Sequence, residues 1–189
     1  SKVINDLPIK EKSETLVFLS RLSKSKGVGD AIKCVAILKD EFPNLTLWVI
    51  GRGEETFKKE LDKLVSDLKL QGNIKFFNYV TEEKKQELLT RAHILLIPSA
   101  KEGWGLTVHE AGARGTPAVV YNVPGLSEVV LDNINGIFCK VNSPEELARN
   151  TRELFRNKDL YEKLQRGAIN ERKKHTWDAT VSQFLNFIK

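Results

Sequence analysis

Two carboxylates set the chemistry this chain can be read for. Glu102 and Glu110 frame the stretch Glu102-Gly103-Trp104-Gly105-Leu106-Thr107-Val108-His109-Glu110, with seven residues between them. The stretch reads as a strand end, a glycine-rich turn and a helix that starts near Leu106 or Thr107. The first N–H groups of such a helix lack intrahelical acceptors and lie at the positive end of its dipole, where a diphosphate can sit. Gly103 and Gly105 let backbone approach a ligand with no side chain in the way. Trp104 is read as a backbone contact first. One carboxylate precedes the helix and the other lies about one turn inside it, and carboxylates accept hydrogen bonds from sugar hydroxyls. That arrangement suits a nucleotide sugar.

Moving a sugar off a nucleotide diphosphate builds negative charge on the departing phosphate oxygens, so something positive must meet it. The chain has no Asp-x-Asp motif and its three histidines are scattered, so no metal and no other cofactor is expected. Arg21, just past the first strand, and Lys26, at the glycine-containing loop before the first helix, are the natural substitutes. Taken alone, an Arg-x4-Lys pair is an ordinary solvated surface feature; the Glu102 motif changes that. Gly51-Arg52-Gly53 after the second strand and Asn78-Tyr79-Val80 after the third are candidate walls of a base pocket, with ordinary turn chemistry as the alternative.

These residues need elements to position them. Short β-type runs alternate with amphipathic helical patterns, which predicts an α/β fold: a Rossmann-like, doubly wound parallel sheet of about six strands flanked by helices. The strands fall at Thr15 to Leu19, Thr46 to Ile50, Ile74 to Phe77, Ile94 to Ile97 and Ala118 to Tyr121, with a short sixth near Ile137 to Cys139. Phe57, Leu61, Leu64, Val65 and Leu68 share one face of the helix between the second and third strands. Ser143-Pro144-Glu145-Glu146 reads as a capping box that opens a later helix. In a parallel sheet, ligands bind at the carboxyl edge of the strands, where Arg21, Lys26 and Glu102 would all lie.

Composition bounds the rest. The 189 residues are 41% hydrophobic, enough for one domain, here 1–189. Residues 1–12 read as a hinge remnant, and 177–189, with Val181, Phe184, Leu185 and Ile188 on one stripe, as a C-terminal docking helix. No apolar run approaches a membrane span and the N-terminus has no signal-peptide core, so the chain reads as cytoplasmic. Cys34 lies on an apolar stripe with Ala31, Val35 and Leu38, a buried thiol, and no disulfide framework follows. The net charge of +5 leans toward an anionic partner. Nucleic acid is not expected, because the basic run Arg172-Lys173-Lys174-His175 lacks interleaved aromatics. His109-Glu110 lacks the second histidine of a zinc helix, since Ala113 stands there. Gly27-Val28-Gly29 followed by Ile32 breaks the dinucleotide fingerprint, and no nucleoside-triphosphate loop is present.

The two spaced glutamates, followed by Ala111, Gly115-Thr116-Pro117, Gly125 and Glu128, resemble the donor-binding domain of retaining glycosyltransferases of the GT-B fold, family 4 type. Upstream, Phe18-Leu19-Ser20-Arg21-Leu22 and Lys26-Gly27 resemble the loop that carries the family's phosphate-binding arginine and lysine. The resemblance covers roughly Thr15 to Asn170. It implies that Arg21 and Lys26 stabilise the leaving phosphate, Glu102 contacts the transferred sugar, Glu110 holds the ribose, and the backbone at Tyr79 and Val80 meets the base. It implies a nucleotide diphosphate sugar as donor and an acceptor held by an N-terminal domain of the same enzyme. These residues contain no counterpart of that half, so the chain reads as an excised donor domain, inactive alone. Many relatives use lipid-linked acceptors, so peripheral membrane contact of the full enzyme belongs to the same expectation. The alternative is a non-catalytic nucleotide-sugar-binding module of the same fold.

Overall fold

The computed structural model describes residues 7–174. Its single sheet contains β1 (Thr15–Leu19), β2 (Thr46–Ile50), β3 (Ile74–Phe77), β4 (Ile94–Ile97), β5 (Ala118–Val120) and β6 (Gly136–Phe138). All pairings are parallel, in the order β3-β2-β1-β4-β5-β6. Both faces of the sheet are covered, so the central strands are continuous apolar runs rather than alternating ones. Leu16, Val17 and Phe18 are buried, as are Leu47 to Ile50 and Ile94 to Ile97. The expected strands coincide with these to within a residue. β5 stops before Tyr121, although the Tyr121 N–H still donates to Ile97 O at 3.0 Å, and β6 starts at Gly136.

The helices are α1 (Val28–Leu38), α2 (Glu55–Asp67), α3 (Glu82–Arg91), α4 (Leu106–Gly112), α5 (Pro144–Arg156) and α6 (Lys158–Lys174), with a 3-10 turn at Lys24–Lys26. α1 packs with α2 and α5, while α4 packs with α3 and α6, which defines the two helical layers. On α2, Leu61 and Val65 are buried, and Phe57, Leu64 and Leu68 pack partly against the core, as the stripe predicts. Cys34 and Cys139 are both buried free thiols, and burial pushes each up to about 12. The capping box of α5 is only half formed. Ser143 Oγ accepts from the Glu146 N–H at 3.3 Å, but Glu146 Oε1 accepts from the Lys140 N–H at 3.2 Å instead of returning to Ser143. The Ser143 N–H is already taken by Val141 O.

Of the first dozen residues, 7–12 are seated on the domain. The Glu11 N–H donates to Arg91 O at 2.9 Å. The Lys10 ammonium donates to Thr90 O at 2.9 Å, Thr116 Oγ1 at 2.6 Å and Arg114 O at 3.3 Å. Burial pulls its pKa down to about 7. The expected docking helix at 177–189 lies outside the described residues. No helix among the described residues is long and apolar enough to cross a membrane.

The strand order decides where a ligand can go. The chain runs outward from β1 to β2 and β3, then returns to place β4 on the other side of β1. The helices that follow β1 and β4 lie in opposite layers, so the carboxyl ends of these two strands border a crevice.

Candidate functional site

The loop after β4 is pinned against the loop after β1. The Ala100 N–H donates to Ser25 O at 2.9 Å, and Ser99 Oγ donates to Lys26 O at 3.5 Å. Gly27, at φ 73°, caps α1, and a Cβ there would stand 1.9 Å from Pro98 O, so only glycine permits this approach. The consequence is a direct contact: Lys26 Nζ donates to Glu102 Oε2 at 2.9 Å, with the side chains 16% and 18% exposed. One acid and one cation, distant in sequence, thus meet at the switch-point crevice.

The turn into α4 is held by glycines with different duties. Gly105 adopts the left-handed region at φ 54°, and a Cβ there would stand 2.5 Å from Val129 Cγ2. Gly125, at φ 88°, lies so close that a Cβ would come within 2.4 Å of Glu102 O and 2.5 Å of Gly103 O. A Cβ on Gly103 would meet nothing within 4 Å. The sequence reading assigns ligand approach to both Gly103 and Gly105; the structure gives Gly105 an internal packing reason and leaves Gly103 open to the outside. α4 begins at Leu106, as expected, with no side chain capping it. It has only seven residues, so its dipole is short, and an anion there would rely on individual N–H groups such as those of Leu106 and Thr107. A pocket of about 310 Å³ lies here, walled by Phe18 to Ser20 of the β1 end and by Glu102 to Thr107. Trp104 and Leu106 are exposed at its rim, 79% and 67%.

Arg21 opens onto a neighbouring pocket of about 670 Å³ on the β2 side, shared with Arg52, Thr56 and Phe57. The Arg52 guanidinium lies 4.7 Å from the centre of the exposed Tyr79 ring, a cation–π contact that joins the ends of β2 and β3. Among the described residues neither guanidinium has a hydrogen bond or an ion pair, although the Arg52 carbonyl accepts from the Leu22 N–H at 2.7 Å. Val80 packs partly against the core and leads into Thr81, whose Oγ1 accepts from the Lys84 N–H at 3.3 Å and caps α3. The expected cations therefore divide: Lys26 contacts the glutamate motif, while Arg21 stands with Arg52 and Tyr79 on the adjoining side.

Glu110, on α4, is not alone either. Its Oε1 accepts from Lys85 Nζ at 2.8 Å, and Lys85 also reaches Glu82 Oε2 at 2.9 Å. Burial acts to lower the Lys85 pKa, but the two carboxylates outweigh it and raise the pKa, so the ammonium stays charged. Sequence reasoning missed Lys85. Its nearest signal was Thr81 as an N-cap, which fixes the start of α3 but not which residue of that helix faces α4. The resulting electrostatic layout is simple. Glu102 is paired with Lys26, Glu110 shares Lys85 with Glu82, and among the described residues Arg21 and Arg52 have no ion pair.

With this geometry established, comparisons with known proteins bear on it. The family model described as Glycosyl transferases group 1 matches residues 1–171. The D-inositol 3-phosphate glycosyltransferase of Nocardioides sp. is 28% identical over 194 residues, covering 95% of this chain and 42% of that protein. Among solved structures, Anabaena HepE in complex with UDP superposes with a TM-score of 0.83 at 22% identity, covering 93% of this chain and 48% of HepE. The C-terminal domain of the group 1 glycosyl transferase LpcC from Francisella tularensis gives a TM-score of 0.77 at 24% identity, covering 88% of this chain and 87% of that domain. The chain spans about half the length of the curated relatives it matches.

Proposed function

The chain belongs to the group 1 glycosyl transferases, and from that premise we propose that it is the donor-binding half of a family 4 type, retaining glycosyltransferase. Its ligand is a nucleotide diphosphate sugar. The diphosphate lies over the crevice between β1 and β4, between the α4 turn and the cations of the β1 loop. Arg21 and Lys26 take up the charge that develops as the bond to the sugar breaks, in place of a metal ion. Glu102 accepts hydrogen bonds from the transferred sugar, with the N–H groups of Gly103 to Thr107 around it. Glu110 accepts from the ribose hydroxyls. The Arg52–Tyr79 stack and the backbone at Val80 bound the base. Acceptor contacts and the exclusion of water come from a partner half outside these 189 residues, so this chain alone transfers little or nothing.

The observation that supports the reading is the Lys26–Glu102 contact, because the cation assigned to the phosphate and the acid assigned to the sugar meet at one crevice. A nucleotide sugar presents a charged phosphate and a neutral polyhydroxyl group a bond apart, and few other ligands need both groups at that spacing. HepE is solved with UDP, which makes uracil the first base to try. A thermal-shift panel of UDP, GDP and ADP with their glucose or mannose conjugates tests the proposal. A ligand bound only by the folded state adds about 2.7 kcal/mol of stability at a hundredfold excess over Kd and so raises the melting temperature. A flat response across the whole panel sinks the reading, and efficient transfer by this chain alone sinks the assignment of halves.

A further inference from the structure

Lys85 belongs to none of the roles assigned above, yet it touches the site. It lies in the first turn of α3, its N–H donating to Thr81 O at 2.9 Å, one turn beyond Val80. The segment from Tyr79 to Lys85 therefore supplies both the base wall and the cation that grips the acid of α4. Lys85 is 19% exposed on its side chain, and Glu110 is 39% exposed. The contact uses only Glu110 Oε1; Oε2 has no hydrogen bond among the described residues. A carboxylate held by one oxygen presents the other in a fixed direction, and holding it costs the ligand no ordering of a mobile side chain. The end of the same helix is tied to α3 separately, through Arg114, two residues past α4, which donates to Gln86 Oε1.

We infer that Lys85 is a positioning residue that sets this domain's preference for a ribonucleotide over its counterpart lacking the 2′- and 3′-hydroxyls. The inference rests on the ribose role proposed for Glu110. With Glu110 Oε1 occupied, Oε2 is directed at the ribose hydroxyls, and the ammonium cancels a negative charge that would otherwise repel the diphosphate. The two effects separate. Charge cancellation favours ribo- and dideoxyribonucleotides equally, whereas orientation favours only the ligand that has hydroxyls for the oxygen to meet.

The test is calorimetric binding of UDP, GDP and ADP, each beside its 2′,3′-dideoxy counterpart, to the chain and to Lys85→Met, Lys85→Arg and Glu110→Gln. Melting curves confirm that each variant is folded. The chain itself is expected to prefer the ribose form roughly tenfold, the scale of one hydrogen bond to a charged group. Lys85→Met weakens both forms and brings the ratio close to one, while Lys85→Arg restores most of it. If Lys85→Met weakens both forms by the same factor, the inference falls and the ribose role of Glu110 stands, provided that Glu110→Gln removes the preference. If Glu110→Gln leaves the preference intact, or no nucleotide binds the unaltered chain, the ribose role itself fails and takes the inference with it.

Discussion

Lys26 and Glu102 are separated by 76 residues in the chain and by 2.9 Å in space. With side chains less than a fifth exposed, the pair neutralises two groups to which the function proposed above gives opposite tasks: the ammonium meets a phosphate, and the carboxylate meets sugar hydroxyls. On that proposal a bound donor replaces the ion pair, with charge-assisted hydrogen bonds on both sides.

This exchange predicts opposite results for the two partners. Lys26→Met should weaken UDP and UDP-glucose together by roughly tenfold or more, since a charge-assisted bond to phosphate is lost. Glu102→Gln frees the ammonium, so UDP should bind as tightly as before or more tightly, while the extra affinity contributed by the glucose is lost. Isothermal calorimetry on both ligands decides it. Equal weakening of UDP by both substitutions contradicts the exchange.

Arg21 and Glu110 should be separable by ligand. Arg21→Ala should weaken a nucleoside diphosphate far more than the nucleoside, because the lost contact is to phosphate. Glu110→Ala should weaken both, because both contain the ribose. Two substitutions with indistinguishable profiles across UDP, uridine, GDP and guanosine would show that the roles are misassigned.

Gly125 and Gly103 make a paired test of the turn. Gly125→Ala places a Cβ 2.4 Å from Glu102 O at φ 88°, so the turn must shift. The expected cost is about 1–3 kcal/mol, which lowers the melting temperature by roughly 2–4 °C per kcal/mol in a chain of this size. Gly103→Ala meets nothing within 4 Å, so the melting temperature should hold while donor affinity falls. Unchanged affinity in Gly103→Ala would show that the donor does not approach that backbone.

Lys10 gives stability a pH dependence of definite sign. Burial holds its folded pKa near 7, below the ordinary value of 10.5. Between those values the unfolded chain binds a proton that the native chain does not, so stability rises with pH across that window. The slope is at most about 1.4 kcal/mol per pH unit. Below about pH 7 the ammonium is charged in both states and its desolvation cost is fully present. Chemical denaturation from pH 7 to 10 should show the rise in the unaltered chain and a flatter profile in Lys10→Met. Parallel profiles would show that Lys10 keeps its charge in its seat.

The sequence by itself determined the elements and the local chemistry. A strand buried on both faces must be a continuous apolar run, as Leu95-Leu96 and Val49-Ile50 are, and glycine is the residue most at ease in a left-handed turn such as that at Gly105, so strands and the start of α4 were legible within a residue. The glutamate spacing and the Arg21 and Lys26 loop were legible for the same reason, since each motif is contained in a few consecutive residues. Tertiary structure alone decided the pairings. Which lysine neutralises Glu102 or Glu110 depends on strand order and on how α3 sits against α4, and no periodicity within a helix records what the neighbouring helix presents to it. Lys85 was therefore invisible as a site residue. Arg21 was legible as a cation, but its company on the β2 side, with Arg52 over Tyr79, exists only because β1, β2 and β3 lie side by side and bring their carboxyl ends to one edge.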